Sequence, residues 1–156
     1  MDSVQLTGST SLRGGSVLAP NLANDAITLG YAQMTSNFAM ASATPALVTG
    51  LTVTVNIPNG GRYIKITAYS GDTNATATTS VRISIWDGTV GSGTRLNWAR
   101  IPERTSGDQF GLVAIAVVTP SAGSKTYNVS LDSSAATTAT INASTNNPAF
   151  ILVEAI

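Results

Sequence analysis

Apolar residues recur at every second position along much of this chain, the period of a strand with one buried face and one wet face. The clearest case is 51–57, where Leu51, Val53, Val55 and Ile57 alternate with Thr52, Thr54 and Asn56. Pro58-Asn59-Gly60-Gly61 reads as a turn into 62–69, in which Ile64, Ile66 and Ala68 alternate with Tyr63, Lys65 and Thr67. The two segments are therefore expected to form a hairpin. A polar loop is expected at 70–75. A strand over 78–86 follows, with Val81, Ile83 and Ile85 on one face, and it ends at the turn signal Asp87-Gly88.

Beyond the Gly-rich corner 88–93, a short strand is expected at 95–99 and then a charged loop. Residues 110–119 are apolar at nearly every position, as in a central sandwich strand buried on both faces. Pro120-Ser121-Ala122-Gly123 turns into 127–131, where Tyr127, Val129 and Leu131 alternate with Asn128 and Ser130. Strands at 138–143 and 149–155 complete the pattern. Together with 27–38 this makes eight or nine strands at sandwich spacing, and no stretch carries a competing helical period. The prediction is an all-β antiparallel β-sandwich of jelly-roll type, built from two four-stranded sheets, over 26–156.

Residues 1–25 follow no such period and are interrupted by Gly8, Gly14-Gly15 and Pro20. They read as an extended N-terminal arm or linker. Val4 with Leu6, and Val17 with Leu18, are candidate anchors that order against a partner, and a floppy terminus is the competing reading.

Composition sharpens the picture. Charged residues are only 10% of the 156, against roughly 25% in an average soluble domain, while 43% are hydrophobic. Thr, Ser, Asn and Gly fill the gap, which suits strands and corners and argues against disorder. Eight basic and eight acidic residues cancel, with no basic run, so no footprint for nucleic acid appears. Near-zero net charge also removes a barrier to self-association. With no Cys there is no disulfide framework. The start Met1-Asp2-Ser3 shows no basic or apolar leader, and no apolar run is long enough to span a bilayer. The chain is expected to stay in the cytoplasm unless a larger particle carries it out, as a virion does on lysis.

Candidate chemistry is sparse. The absence of both His and Cys removes Ser-His-Asp and Cys-His nucleophilic systems and the usual zinc ligands. Glu103 and Asp108 formally supply two acids for glycoside hydrolysis, but a Gly-containing loop between them fixes no separation. Asp72-Thr73-Asn74 offers alternate oxygen donors without the rest of a calcium loop, so a polar turn is the simpler reading. No glycine-rich phosphate motif follows a strand, and the Asn-X-Ser/Thr matches are expected by chance in so Thr-rich a chain. No cofactor and no metal is predicted.

One segment is unusual. Residues 95–108 hold Arg95, Arg100, Glu103, Arg104 and Asp108, five of sixteen charges, together with Trp98. Arg and Trp are enriched at interface hot spots, and an aromatic beside Arg and Asn can stack on a sugar or pair with a neighbouring subunit. Arg95, Trp98, Arg100, Glu103 and Arg104 form the candidate interaction surface. The alternative is Trp98 in the core with its charged neighbours at a solvated corner.

The phrases AITLGYAQMTSNFAM and TPALVTGLTVTVNIPNGGRYIKITAYS within 26–70, VTPSAGSKTYNVSL, and the closing NPAFILVEAI resemble a domain met among tailed-bacteriophage structural proteins. The resemblance covers 26–156 and leaves the first 25 residues outside. It implies a non-enzymatic virion protein, a capsid decoration or head fibre, that self-associates as a homotrimer or other symmetric oligomer. The major capsid protein or another virion protein would be its partner, held by the N-terminal arm. The alternative is a tail-fibre receptor-binding domain that recognises a bacterial surface glycan. The resemblance carries no catalytic motif.

Overall fold

The computed structural model describes residues 28–57, 62–104 and 106–156, without the side chains of 103 and 104. Ten strands form in chain order: β1 (Thr28–Met34), β2 (Phe38–Ala41), β3 (Ala46–Ile57), β4 (Ile64–Ala75), β5 (Thr79–Asp87), β6 (Thr94–Arg104), β7 (Phe110–Val118), β8 (Gly123–Ser133), β9 (Thr138–Ile141) and β10 (Ala149–Ala155). They make two antiparallel sheets, one of six strands and one of four, ordered β3-β8-β5-β6 in the smaller. The result is an all-β sandwich of jelly-roll type, as the periodicity predicts, but with six and four strands rather than four and four.

Strand β4 organises the larger sheet. On one side it pairs with β7 over most of its length; on the other it pairs first with β10 and then, at 73–75, with β9. β1 flanks β10 and β2 flanks β9. The core lies between the sheets. Leu51, Val53, Val55 and Ile57 of β3, Val81, Ile83 and Ile85 of β5, and Tyr127, Val129 and Leu131 of β8 meet Ile64, Ile66 and Ala68 of β4 and Ile151 and Val153 of β10. These are the alternating positions, because each strand turns every second side chain to one face.

Three expectations are corrected. The segments 51–57 and 62–69 do not form a hairpin, because β3 and β4 belong to different sheets. The polar stretch 70–75 is not a loop but the second half of β4. Its register shifts between Ser70 and Thr73, a bulge at Gly71-Asp72, and the buried hydroxyls are satisfied locally, Ser70 Oγ lying 2.6 Å from Thr73 Oγ1. Finally, 110–119 is not buried on both faces. Leu112, Ala114 and Ala116 of β7 face the core, while Val113, Ile115 and Val117 are exposed.

The Asp87-Gly88 signal does produce a hairpin, between β5 and β6, with Asp87 opposite Thr94 and Gly88 at φ 82°, where a glycine is favoured. Asn97 Nδ2 donates to the Ile115 carbonyl at 2.5 Å and ties the edge strand β6 of one sheet to β7 of the other.

Candidate functional site

The register of the larger sheet sets three rows of side chains across its outer face. One row is Tyr31, Leu152, Thr67 and Ile115; the next is Gln33, Phe150, Tyr69 and Val113; the third is Thr28, Glu154, Lys65 and Val117. Each strand contributes the residues opposite in parity to its core set, and here many of those are apolar too. The Phe150 ring stacks on Tyr69 at 5.1 Å between centroids and meets Tyr31 at 5.9 Å. Tyr31, Val113, Ile115 and Val117 are each about half exposed, at 51, 49, 47 and 55%. The charges in these rows neutralise one another, since Lys65 Nζ lies 2.8 Å from Glu154 Oε2. Four strands by three rows span roughly 400 Å², and seven of the twelve positions on this face are apolar or aromatic.

The outer face of the smaller sheet is chemically different. Arg82 sits directly opposite Arg100, and Ser84 opposite Trp98, across the β5–β6 pair. On the other side Arg82 faces Asp132 of β8. The Arg82 guanidinium binds that carboxylate through two bonds, Nε donating to Oδ1 at 3.2 Å and Nη2 to Oδ2 at 2.7 Å, and its Cζ lies 5.9 Å from the Trp98 ring centroid. Asp132 is almost wholly buried, so the fork-to-fork pair holds Arg82 in one orientation. Trp86 is also buried, donating its indole N–H to Ser130 Oγ at 2.8 Å, with Arg95 Cζ 5.4 Å from its ring.

Arg95, Trp98 and Arg100 thus share one face. Trp98 is 49% exposed and belongs to the surface, and Trp86 is the buried tryptophan instead. Arg82 and Asp132 complete this face and were missed, because the alternation of β5 and β8 puts them outward without showing that residues fifty positions apart pair. The Glu103 and Arg104 side chains lie outside the described residues, as do the anchors Val4, Leu6, Val17 and Leu18. Asp72 lies within β4, its Oδ1 buried without a hydrogen-bond partner among the described residues. Among the described residues no three His, Cys, Asp or Glu side chains gather, and no helix is long and apolar enough to cross a membrane.

In the core, Tyr127 is fully buried and its hydroxyl has no hydrogen-bond partner among the described residues. Burial, with a smaller contribution from the Asp87 carboxylate, pushes its phenol up to about 12.

No protein-family model matches the chain, and no curated protein matches it in sequence. Solved structures match in fold. The chain is similar to murine APRIL, crystallised at pH 5.0, at 10% identity and a TM-score of 0.54, over 83% of this chain and 99% of that one. It also aligns with the structure of Eiger TNF from S. frugiperda, at 12% identity and a TM-score of 0.47, over 83% of this chain and 93% of that one.

Proposed function

We propose that this chain is a non-enzymatic structural protein of a bacteriophage virion, of capsid-decoration or head-fibre type, that self-associates through the outer face of its six-stranded sheet. The observation that carries self-association is that face: Tyr31, Tyr69, Phe150, Leu152, Val113, Ile115 and Val117 form a contiguous apolar surface whose charges are already paired. Its occupant is a second copy of the chain. A face that carries no net charge on a chain of net charge zero meets its own copy without repulsion, and a sheet is flat enough for side chains to interdigitate. A symmetric oligomer, a homotrimer or another closed form, buries the patch in every copy.

The virion setting rests on the sequence resemblance over 26–156, and attachment is assigned to residues 1–25, with the major capsid protein or another virion protein as partner. The test has two parts. Sedimentation equilibrium of the purified chain should give a whole multiple of its mass, and a monomer at every concentration would overturn self-association. Cross-linking of particles should join residues 1–25 to the capsid at many equivalent sites, and deletion of those residues should abolish attachment while sparing the β fold. A few copies at the tail would favour receptor binding instead.

A further inference from the structure

The smaller sheet carries a second surface, on the side of the sandwich away from the proposed association face. A cavity of about 170 Å³ opens there, lined by Ser80, Arg82, Arg100, Asp132, Ser134 and Ala43. Three features give it a chemical character. Two guanidiniums stand opposite one another, and only one of them is paired: Arg82 is bound to Asp132, whereas Arg100 is exposed and neither hydrogen-bonded nor ion-paired to another described residue. Among the described side chains of this face the charges are uneven, three cations (Arg82, Arg95, Arg100) against one carboxylate (Asp132), on a chain whose total is zero. An exposed indole, Trp98, lies two residues from Arg100 on the same face, against the Arg82 guanidinium.

We propose that this cavity is a binding site for a carboxylated saccharide. The Arg100 fork takes the ligand carboxylate, Arg82 is held by Asp132 as a second, fixed positive neighbour, the Ser80 and Ser134 hydroxyls suit sugar hydroxyls, and the Trp98 ring gives a stacking surface for the apolar face of the pyranose. The two serine hydroxyls of the lining and the exposed indole beside it favour a sugar, which offers both hydroxyl groups and an apolar ring face, over an acidic peptide. The site does not depend on self-association.

The probes are trisaccharides ending in glucuronate, galacturonate or sialate, each against its neutral methyl ester, titrated calorimetrically onto the full-length chain. At least one acid should bind saturably, and its ester about tenfold more weakly or worse. Arg100→Ala and Trp98→Ala should each weaken binding about tenfold, with Arg100→Lys intermediate because it keeps charge without the planar fork. Both residues are exposed, so circular dichroism and the sedimentation mass should not change. The proposal is overturned if none of the three acids binds, if acid and ester bind alike, if Arg100→Ala binds as the parent does, or if an oligoglutamate peptide competes as well as the acid sugar.

Discussion

Replacing Val113, Ile115 and Val117 together by threonine tests the association face at its most exposed strand. The three side chains keep about half of their surface in solvent in the single chain, 49, 47 and 55%. Fully burying a Val or Ile side chain is worth about 1.5–3 kcal/mol, so covering the remaining half contributes about 1 kcal/mol each and about 3 kcal/mol for the strand. Threonine keeps the β-branched shape and strand propensity but places a hydroxyl where the contact needs methyl groups. Association should weaken about a hundredfold, since about 1.4 kcal/mol is a factor of ten. Because these side chains point away from the core, unfolding of the dilute monomer should shift by no more than about 0.5 kcal/mol per substitution, about 1.5 kcal/mol for the three. Sedimentation velocity over a dilution series reads the first quantity and urea denaturation the second. A dilution curve superimposing on the parent's would refute the assignment of this face. A single Ile115→Lys should act more strongly, because it would bury an unpaired charge.

Gly30 of β1 sits where a Cβ would run into the Cγ1 atoms of Val53 and Val55 on β3, so Gly30→Ala should cost about 1–3 kcal/mol by overpacking, read as a lowered thermal midpoint. Arg82→Ala strands the buried Asp132 carboxylate and should cost about 3 kcal/mol or more; the Arg82→Ala/Asp132→Ala double variant should be less destabilised than the two single losses summed, and strict additivity in urea denaturation would contradict the coupling. Tyr127 predicts alkaline sensitivity. Its folded value, about 12, lies above the unfolded 10.0, so the folded state holds the phenol proton more tightly. Stability is therefore unaffected by this group below pH 10 and falls by up to about 3 kcal/mol as pH rises from there through about 12, where the folded state must ionise a buried phenol. Tyr127→Phe removes a hydroxyl that has no partner, so it should not destabilise the neutral protein and should flatten the loss of stability between pH 10 and 12; an unchanged alkaline profile would exclude Tyr127 as its source.

What the sequence determined by itself is whatever depends on residues two apart. Alternation identified most of the strands, the buried side of 51–57, 62–69, 78–86 and 127–131, and the all-β class, and Asp87-Gly88 marked a turn, because the pleat and the turn are local geometry. Apolar residues on both faces of 110–119 were legible as well. That the second face stays in solvent was not, because the same pattern serves a strand covered on both sides and an apolar sheet face left open. Only the tertiary structure decided which strands are neighbours. The step from β3 to β4 crosses between sheets where the turn residues suggest a hairpin, and a bulge at Gly71-Asp72 carries β4 through a stretch whose polarity suggests a loop. The same holds for both surfaces. Tyr31, Tyr69 and Phe150 converge, and Arg82 meets Arg100 and Asp132, only once the register is set across strands distant in the chain. Register is a property of pairs of strands, selected by the packing of the whole core, and no single segment encodes it.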